Sequence, residues 1–217
     1  MKLPRPRKII AEKYVAGLSL FKSKRSPIKL SANESALGPS PKAVRAYKSV
    51  GKGFVRYPDS DGTYFRKVLA KKFKLDSSRI ILGSGSDQIF ELICKLFLNK
   101  GDEVVVPEYS FIIYRIYSRM CGASVRYAKE ENFRPTVQSI LNKVSRKTKI
   151  VFLANPNNPT GTYLNKNEML ELRKKLRSDI LLVVDDAYYE YITDSDYISG
   201  IKLFSKSKNV LITRTFS

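Results

Sequence analysis

Six short β-prone runs punctuate the chain: Arg79–Leu82, Val104–Val106, Ser124–Ala128, Lys149–Ala154, Asp179–Val184 and Asn209–Thr213. Between them lie segments with apolar residues at helical spacing, such as Ile89, Leu92, Ile93 and Leu96 within Asp87–Leu98. A strand that is apolar throughout is buried on both faces, which calls for parallel strands covered by helices on either side. Right-handed crossovers then wind those helices onto both faces. The expected fold class is α/β, a three-layer, doubly wound, mainly parallel sheet.

The run at Lys149–Ala154 ends abruptly in Asn155-Pro156-Asn157-Asn158-Pro159-Thr160-Gly161. Pro156 and Pro159 remove backbone donors, and Gly161 adds conformational freedom, so the strand cannot continue. Several polar side chains are thereby set at a strand's carboxyl end, where open α/β sheets bind ligands. Taken alone, a tight loop leading to a helix fits these residues as well as a ligand loop does. The other strand ends carry similar polar punctuation. Gly83-Ser84-Gly85-Ser86-Asp87-Gln88 lies between a strand and a helix, where small residues expose N–H groups and the helix dipole favours an anion. Pro107-Glu108-Tyr109-Ser110, Asp185-Asp186-Ala187-Tyr188 and Arg214-Thr215-Phe216-Ser217 close three further strands. Each also has a plain structural reading: a common βα turn, a core tyrosine, an aspartate helix cap.

Residues 1–29 read as an arm and linker, weakly amphipathic over Ile9–Leu20 around Tyr14, with the linker proper at Lys22–Pro27. Leu30–Ser35 and Gly38-Pro39-Ser40-Pro41 follow, the latter opening a helix to Val50 with Ser40 as its cap. Arg56-Tyr57-Pro58-Asp59 precedes a helix over Tyr64–Phe73. Further helices are expected over Phe111–Met120, Thr136–Val144 and Asn165–Arg177, the last capped by Asn165, and Ile198–Phe204 is expected to be helical or irregular.

Composition narrows function mainly by exclusion. The 217 residues suffice for one good core, with room for a small attached subdomain. No apolar run is long enough to cross a bilayer, and no apolar signal core follows Lys8. The absence of histidine removes imidazole acid–base chemistry and the commonest metal ligand. Cys94 and Cys121 sit within apolar patterns, as buried reduced thiols do, which fits a cytoplasmic setting. The net charge of +20 admits a nucleic-acid partner, but the basic residues are spread through nearly every segment and no recognised nucleic-acid motif is present. Solvated surface that favours anionic substrates accounts for it better.

The motif Asn155–Gly161 resembles the corresponding loop of fold-type I pyridoxal-phosphate aminotransferases, in the histidinol-phosphate aminotransferase branch. The resemblance runs from about Leu30 to Ser217, and five strand ends match in order. It implies the large domain of that fold over residues 30–217, incomplete at its carboxyl end. It implies pyridoxal 5'-phosphate as cofactor, with Gly85, Ser86, Asp87, Thr215 and Ser217 at its phosphate and Tyr109 stacked on its ring. Asp185 would pair with the ring nitrogen, and Asn158 and Tyr188 with the phenolic oxygen. In relatives the tyrosine matched by Tyr57 reaches the cofactor phosphate of a partner subunit, so a homodimer is implied. Tyr14 and Asn33 would face substrate. The family reaction moves an amino group between L-histidinol phosphate and 2-oxoglutarate, a step of histidine biosynthesis. Ser35-Ala36 departs from the family's Asn-Pro, and Gln88 and Asp186 stand where glutamate is usual.

In the family pattern a lysine that bonds the cofactor covalently follows the serine matched by Ser217. The expectation is therefore a fragment without a catalytic residue of its own, inactive and marginally stable alone, and lacking the small C-terminal domain. A split enzyme completed by a separate C-terminal polypeptide and a non-catalytic, cofactor-binding remnant are both consistent with these residues. So are other substrates of the framework, including aromatic amino acids and phosphothreonine-type decarboxylation. No membrane partner is expected.

Overall fold

The computed structural model describes Ile9, residues 11–15 and residues 28–217. The linker expected at Lys22–Pro27, and part of the stretch Ile9–Leu20, lie outside the described residues. The chain divides into two compact units, one of residues 14–80 and one of residues 1–13 with 81–217.

The smaller unit holds helices α1 (Pro41–Val50) and α2 (Thr63–Phe73), and neither buries a residue. Pro41 opens α1 as expected, but Ser40 makes no side-chain cap bond. The fixed φ of proline already sets the first turn. Short 3₁₀ turns occupy Gly51–Val55 and Ser77–Arg79.

The larger unit opens with α3 (Gly85–Phe97) and β1 (Glu103–Pro107), then α4 (Ile112–Met120) and β2 (Ser124–Ala128). A small hairpin of β3 (Glu130–Glu131) and β4 (Arg134–Pro135) leads to α5 (Val137–Leu141) and β5 (Thr148–Ala154). Helix α6 (Lys166–Lys175), β6 (Leu181–Asp185), α7 (Gly200–Phe204) and β7 (Val210–Thr213) complete it. Five strands form one sheet in the order β2-β1-β5-β6-β7, every pair parallel. The doubly wound expectation therefore holds.

Side-chain alternation on the strands builds a core on each face. Ile150, Phe152 and Ala154 of β5 meet Phe90, Ile93 and Ile113 from α3 and α4. Val151 and Leu153, one residue out of phase, meet Ile140, Met169, Leu172 and Phe204 from α5, α6 and α7. Both faces of β5 are thus sealed, which is why its sequence is apolar without a break. Asn165 caps α6 as expected: its Oδ1 accepts from the Asn167 and Glu168 N–H groups at 3.0 and 3.1 Å. Glu168 returns the bond to the Asn165 N–H at 2.8 Å.

Two features depart from the sequence reading. Arg79–Leu82 is not a strand: Ser77–Arg79 is the 3₁₀ turn, and the segment that follows pairs with no strand among the described residues. A strand is stabilised by its ladder, and an apolar run without a partner has none. The β3–β4 hairpin went unforeseen. Its two turn residues, Asn132 and Phe133, have φ of +51° and +60°, as a type I′ turn requires.

Candidate active site

The strand order reverses at β1 and β5: the chain leaves β1 for β2 on one side, then returns to place β5 on the other. At such a switch point the loops leaving neighbouring strands diverge, and a crevice opens at their carboxyl ends. Tyr109 leaves β1 there, and Asn155–Thr160 leave β5. The two loops touch, since the Asn157 side-chain amide reaches the Tyr109 carbonyl at 3.4 Å and the Thr160 hydroxyl at 2.9 Å. Asn155 is an internal clamp. Its Oδ1 accepts from the Leu164 N–H at 2.7 Å, and its Nδ2 donates to the Leu164 carbonyl at 3.1 Å. Its own N–H donates to the Asp185 carbonyl at 2.9 Å, tying this loop to the end of β6.

Asp185 is the last residue of β6 and only 6% exposed. Both carboxylate oxygens accept hydroxyl donors: Thr213 Oγ1 reaches Oδ1 at 2.9 Å, and the Tyr114 hydroxyl reaches Oδ2 at 2.6 Å. Burial raises its pKa, while the bonds from Tyr114, Thr213 and the Ala187 N–H pull it back and the charge of Asp87 adds to the rise. Among the described residues no lysine or arginine forms an ion pair with it. The next residue, Asp186, is fully buried, and its Oδ2 accepts the Gly200 N–H at 2.8 Å. Burial pushes its carboxyl up to about 7 despite hydrogen bonding from Ser199 and the charge of Arg214.

The other expected residues fall as follows. Gly85, with φ +73°, opens α3, followed by Ser86 and Asp87 in the first turn. A Cβ at this φ would be strained, so a glycine lets the chain turn into the helix, its own N–H donating to the Gly83 carbonyl at 2.9 Å. The Ser84 N–H is held by Gln88 Oε1 at 2.7 Å. The glutamine standing in place of the family's glutamate thus serves as a local cap. Asn158 Nδ2 and the Tyr188 hydroxyl are 3.4 Å apart, bridging the loops after β5 and β6. Beyond β7 the Thr215 and Ser217 hydroxyls lie 2.7 Å from each other. Tyr109 is half-exposed, and its ring leans on Phe133 at 5.4 Å between centroids. Tyr14, Asn33 and Tyr57 belong to the smaller unit, where the Tyr57 side chain is fully exposed.

The sequence reading missed four contributors. Tyr114 reads as one more aromatic on the apolar face of α4, and nothing in the sequence couples it to a residue 71 positions later. Thr213 was legible as the polar end of the last strand but was not singled out. Glu130, which accepts the Tyr109 N–H at 3.1 Å, and Phe133 come from the unforeseen hairpin.

Comparison with known proteins agrees with this geometry. The chain is 51% identical over all 217 residues to the histidinol-phosphate aminotransferase of Pelagibacter ubique, covering 60% of that protein. It is 44% identical over 214 residues to that of Paramagnetospirillum magneticum, covering 99% of this chain and 59% of the relative. The chain therefore spans about 60% of the length of these relatives. A crystal structure of histidinol-phosphate aminotransferase from Sinorhizobium meliloti, in complex with pyridoxal-5'-phosphate, superposes with a TM-score of 0.81 at 27% identity. That superposition covers 86% of this chain and 50% of the other. The family model for aminotransferase class I and II matches residues 25–217. A match over nearly the whole chain, on a parallel sheet whose polar loops gather at its switch point, places the chain in the class I and II aminotransferase family.

Proposed function

We propose that these residues form the cofactor-binding part of a pyridoxal-phosphate-dependent aminotransferase of the histidinol-phosphate type. One observation carries the reading: Asp185 is a nearly buried carboxylate with two hydroxyl donors and, among the described residues, no cationic ion-pair partner. An ionised carboxylate in such surroundings is costly unless something positive meets it. A protonated ring nitrogen meets that need, and the donor set around the crevice fits the rest of the molecule. When bound, pyridoxal phosphate supplies an electron sink whose strength depends on that protonated nitrogen.

In this reading Asp185 holds the nitrogen, and Tyr109 lies against the ring. Asn158 and Tyr188 hydrogen-bond the phenolic oxygen. The N–H groups of Ser86 and Asp87, in a first turn shaped by Gly85, take the phosphate with the Ser86, Thr215 and Ser217 hydroxyls. Tyr14 and Asn33 belong to the substrate side, and Tyr57 serves the site of a second subunit. Residues 30–217 are then part of the large domain and residues 1–29 its arm. A homodimer is supported by apolar side chains left exposed in the smaller unit, among them Tyr47, Phe54, Val55, Tyr57 and Tyr64. The names of the relatives support histidinol phosphate as a substrate, the family resemblance adds 2-oxoglutarate, and two cysteines outside any disulfide support a cytoplasmic setting. Transamination itself is proposed for a protein of the relatives' full length.

The test is calorimetric binding of pyridoxamine 5'-phosphate, which lacks the aldehyde and so cannot condense with surface lysines. Saturable one-to-one binding is expected, weakened about tenfold or more in Asp185→Asn, the scale of a hydrogen bond to a charged group. No binding, or equal binding by the variant, refutes the reading. In a full-length protein, glutamate formed from L-histidinol phosphate and 2-oxoglutarate tests the substrates.

A further inference from the structure

We propose that Tyr114 is a positioning residue that keeps the Asp185 carboxylate ionised and fixed in orientation for a cationic ring nitrogen. The inference rests on the cofactor reading above. The Tyr114 hydroxyl lies 2.6 Å from Asp185 Oδ2, and the tyrosine is 1% exposed. Its ring stacks on Phe152 with centroids 4.9 Å apart and planes 1° from parallel. Phe90 and Phe111 meet it edge-on at 4.9 and 5.8 Å. One turn further along α4, the Ser118 hydroxyl donates to the Tyr114 carbonyl at 2.7 Å. The phenol cannot swing off Asp185 without displacing its aromatic neighbours. Its hydroxyl is therefore pinned, whereas the Thr213 hydroxyl can rotate about a single bond.

The surroundings show why such a donor matters. Asp87 approaches from α3 and its charge disfavours an ionised Asp185. Thr213 from β7 and the Ala187 N–H favour it. Asp186 is the adjacent residue, and Tyr188 acts on Tyr114 from the loop after β6. Just beyond β5, the backbone N–H of Asn155 bonds the Asp185 carbonyl and leaves the carboxylate to the other donors. The charge of Arg214 bears on the neighbouring Asp186, and among the described residues no cation pairs with Asp185 itself. Burial and Asp87 push toward the protonated acid, and hydroxyl and amide donors hold the proton off. A protonated Asp185 offers a neutral group to a positive nitrogen, so the phenol decides how far into acid the site stays competent. In dry surroundings a phenol, more acidic than an aliphatic hydroxyl, is the stronger donor.

Tyr114→Phe keeps the ring and its packing and removes the donor. Two readouts apply: the carbon-13 titration of the Asp185 carboxyl in ligand-free protein, and pyridoxamine 5'-phosphate affinity from pH 5 to 9. The Asp185 midpoint is expected to rise by about one pH unit or more, roughly tenfold in proton affinity, as loss of a hydrogen bond to a charged group predicts. Affinity should fall about tenfold on the acid side and converge with wild type at high pH. A purely structural role would lower affinity equally at every pH. Site-specific 3-fluorotyrosine at position 114, a more acidic phenol, should move the midpoint the opposite way, and it keeps the test open should Tyr114→Phe not fold. An unmoved midpoint, or a loss independent of pH, overturns the inference. A wild-type protein that binds no pyridoxamine phosphate at any pH overturns the cofactor reading instead, a separate and visible failure.

Discussion

Asp186 makes stability depend on pH in a direction opposite to most carboxylates. It is 0% exposed, and burial sets its folded pKa near 7 against an ordinary 3.8. The folded state therefore holds the proton more tightly than the unfolded chain. The stabilisation is complete below the unfolded pKa and is lost as pH rises through the folded one. About three pH units at 1.36 kcal/mol each give a ceiling of about 4 kcal/mol. Asp186→Asn cannot titrate, and its amide oxygen can still accept the Gly200 N–H. Relative to wild type, the variant should gain stability steadily between about pH 4 and pH 7, by up to about 4 kcal/mol, and change little beyond. Urea unfolding midpoints of both proteins at half-unit pH intervals measure this, and the raised Asp185 largely cancels because both proteins carry it. A difference that stays flat across that range, or moves in favour of wild type, would refute the buried, proton-holding Asp186.

Three further outcomes follow from the structure. Asn155→Ala strands the buried N–H and carbonyl of Leu164, and should cost about 3 kcal/mol by urea unfolding, at about 1–3 kcal/mol for each unsatisfied group. Gly122 has φ +84°, and a Cβ there would lie 3.3 Å from the Lys100 backbone. Gly122→Ala should therefore lower stability by about 1 kcal/mol or more, and an unchanged thermal midpoint would contradict it. Burial pushes the Cys94 thiol up to about 12, while Cys121 is only half-buried. Iodoacetamide at pH 8 should thus label Cys121 in the native protein and Cys94 only after unfolding, as peptide mass spectrometry will show.

How much of this was legible in the sequence depends on whether a residue's role is local. Val104–Val106 and Ile150–Leu153 announce parallel, twice-covered strands because both faces of each are apolar, and the structure agrees. Asp185 was legible by position only as a carboxylate where an apolar run stops, and its proposed role at the cofactor came from the family resemblance. Arg79–Leu82 misled for the complementary reason, since pairing is a property of two segments and only one was in view. The β3–β4 hairpin was hidden because Glu130, Glu131, Arg134 and Pro135 have little β preference. Its turn was half-signalled by Asn132 and then disguised by Phe133, a bulky residue at positive φ. Tyr114 was invisible as a partner of Asp185 because its chemistry sits in one hydroxyl on a ring otherwise indistinguishable from core.

The strand order carries a consequence for how the chain emerges from the ribosome. β1 pairs with β2 soon after both are made, but its other neighbour, β5, arrives only after the hairpin, α5 and the loop that follows. Until Ala154 is released, Val104–Val106 sit on a bare parallel pair with one long edge open, and closing that edge requires a long loop. Afterwards β6 and β7 add outward one at a time, each onto a finished template. Nascent chains stalled before Ala154 should be the ones that bind chaperones and aggregate, and protease resistance should come only in chains long enough to have released α6 and β6, which cover β5.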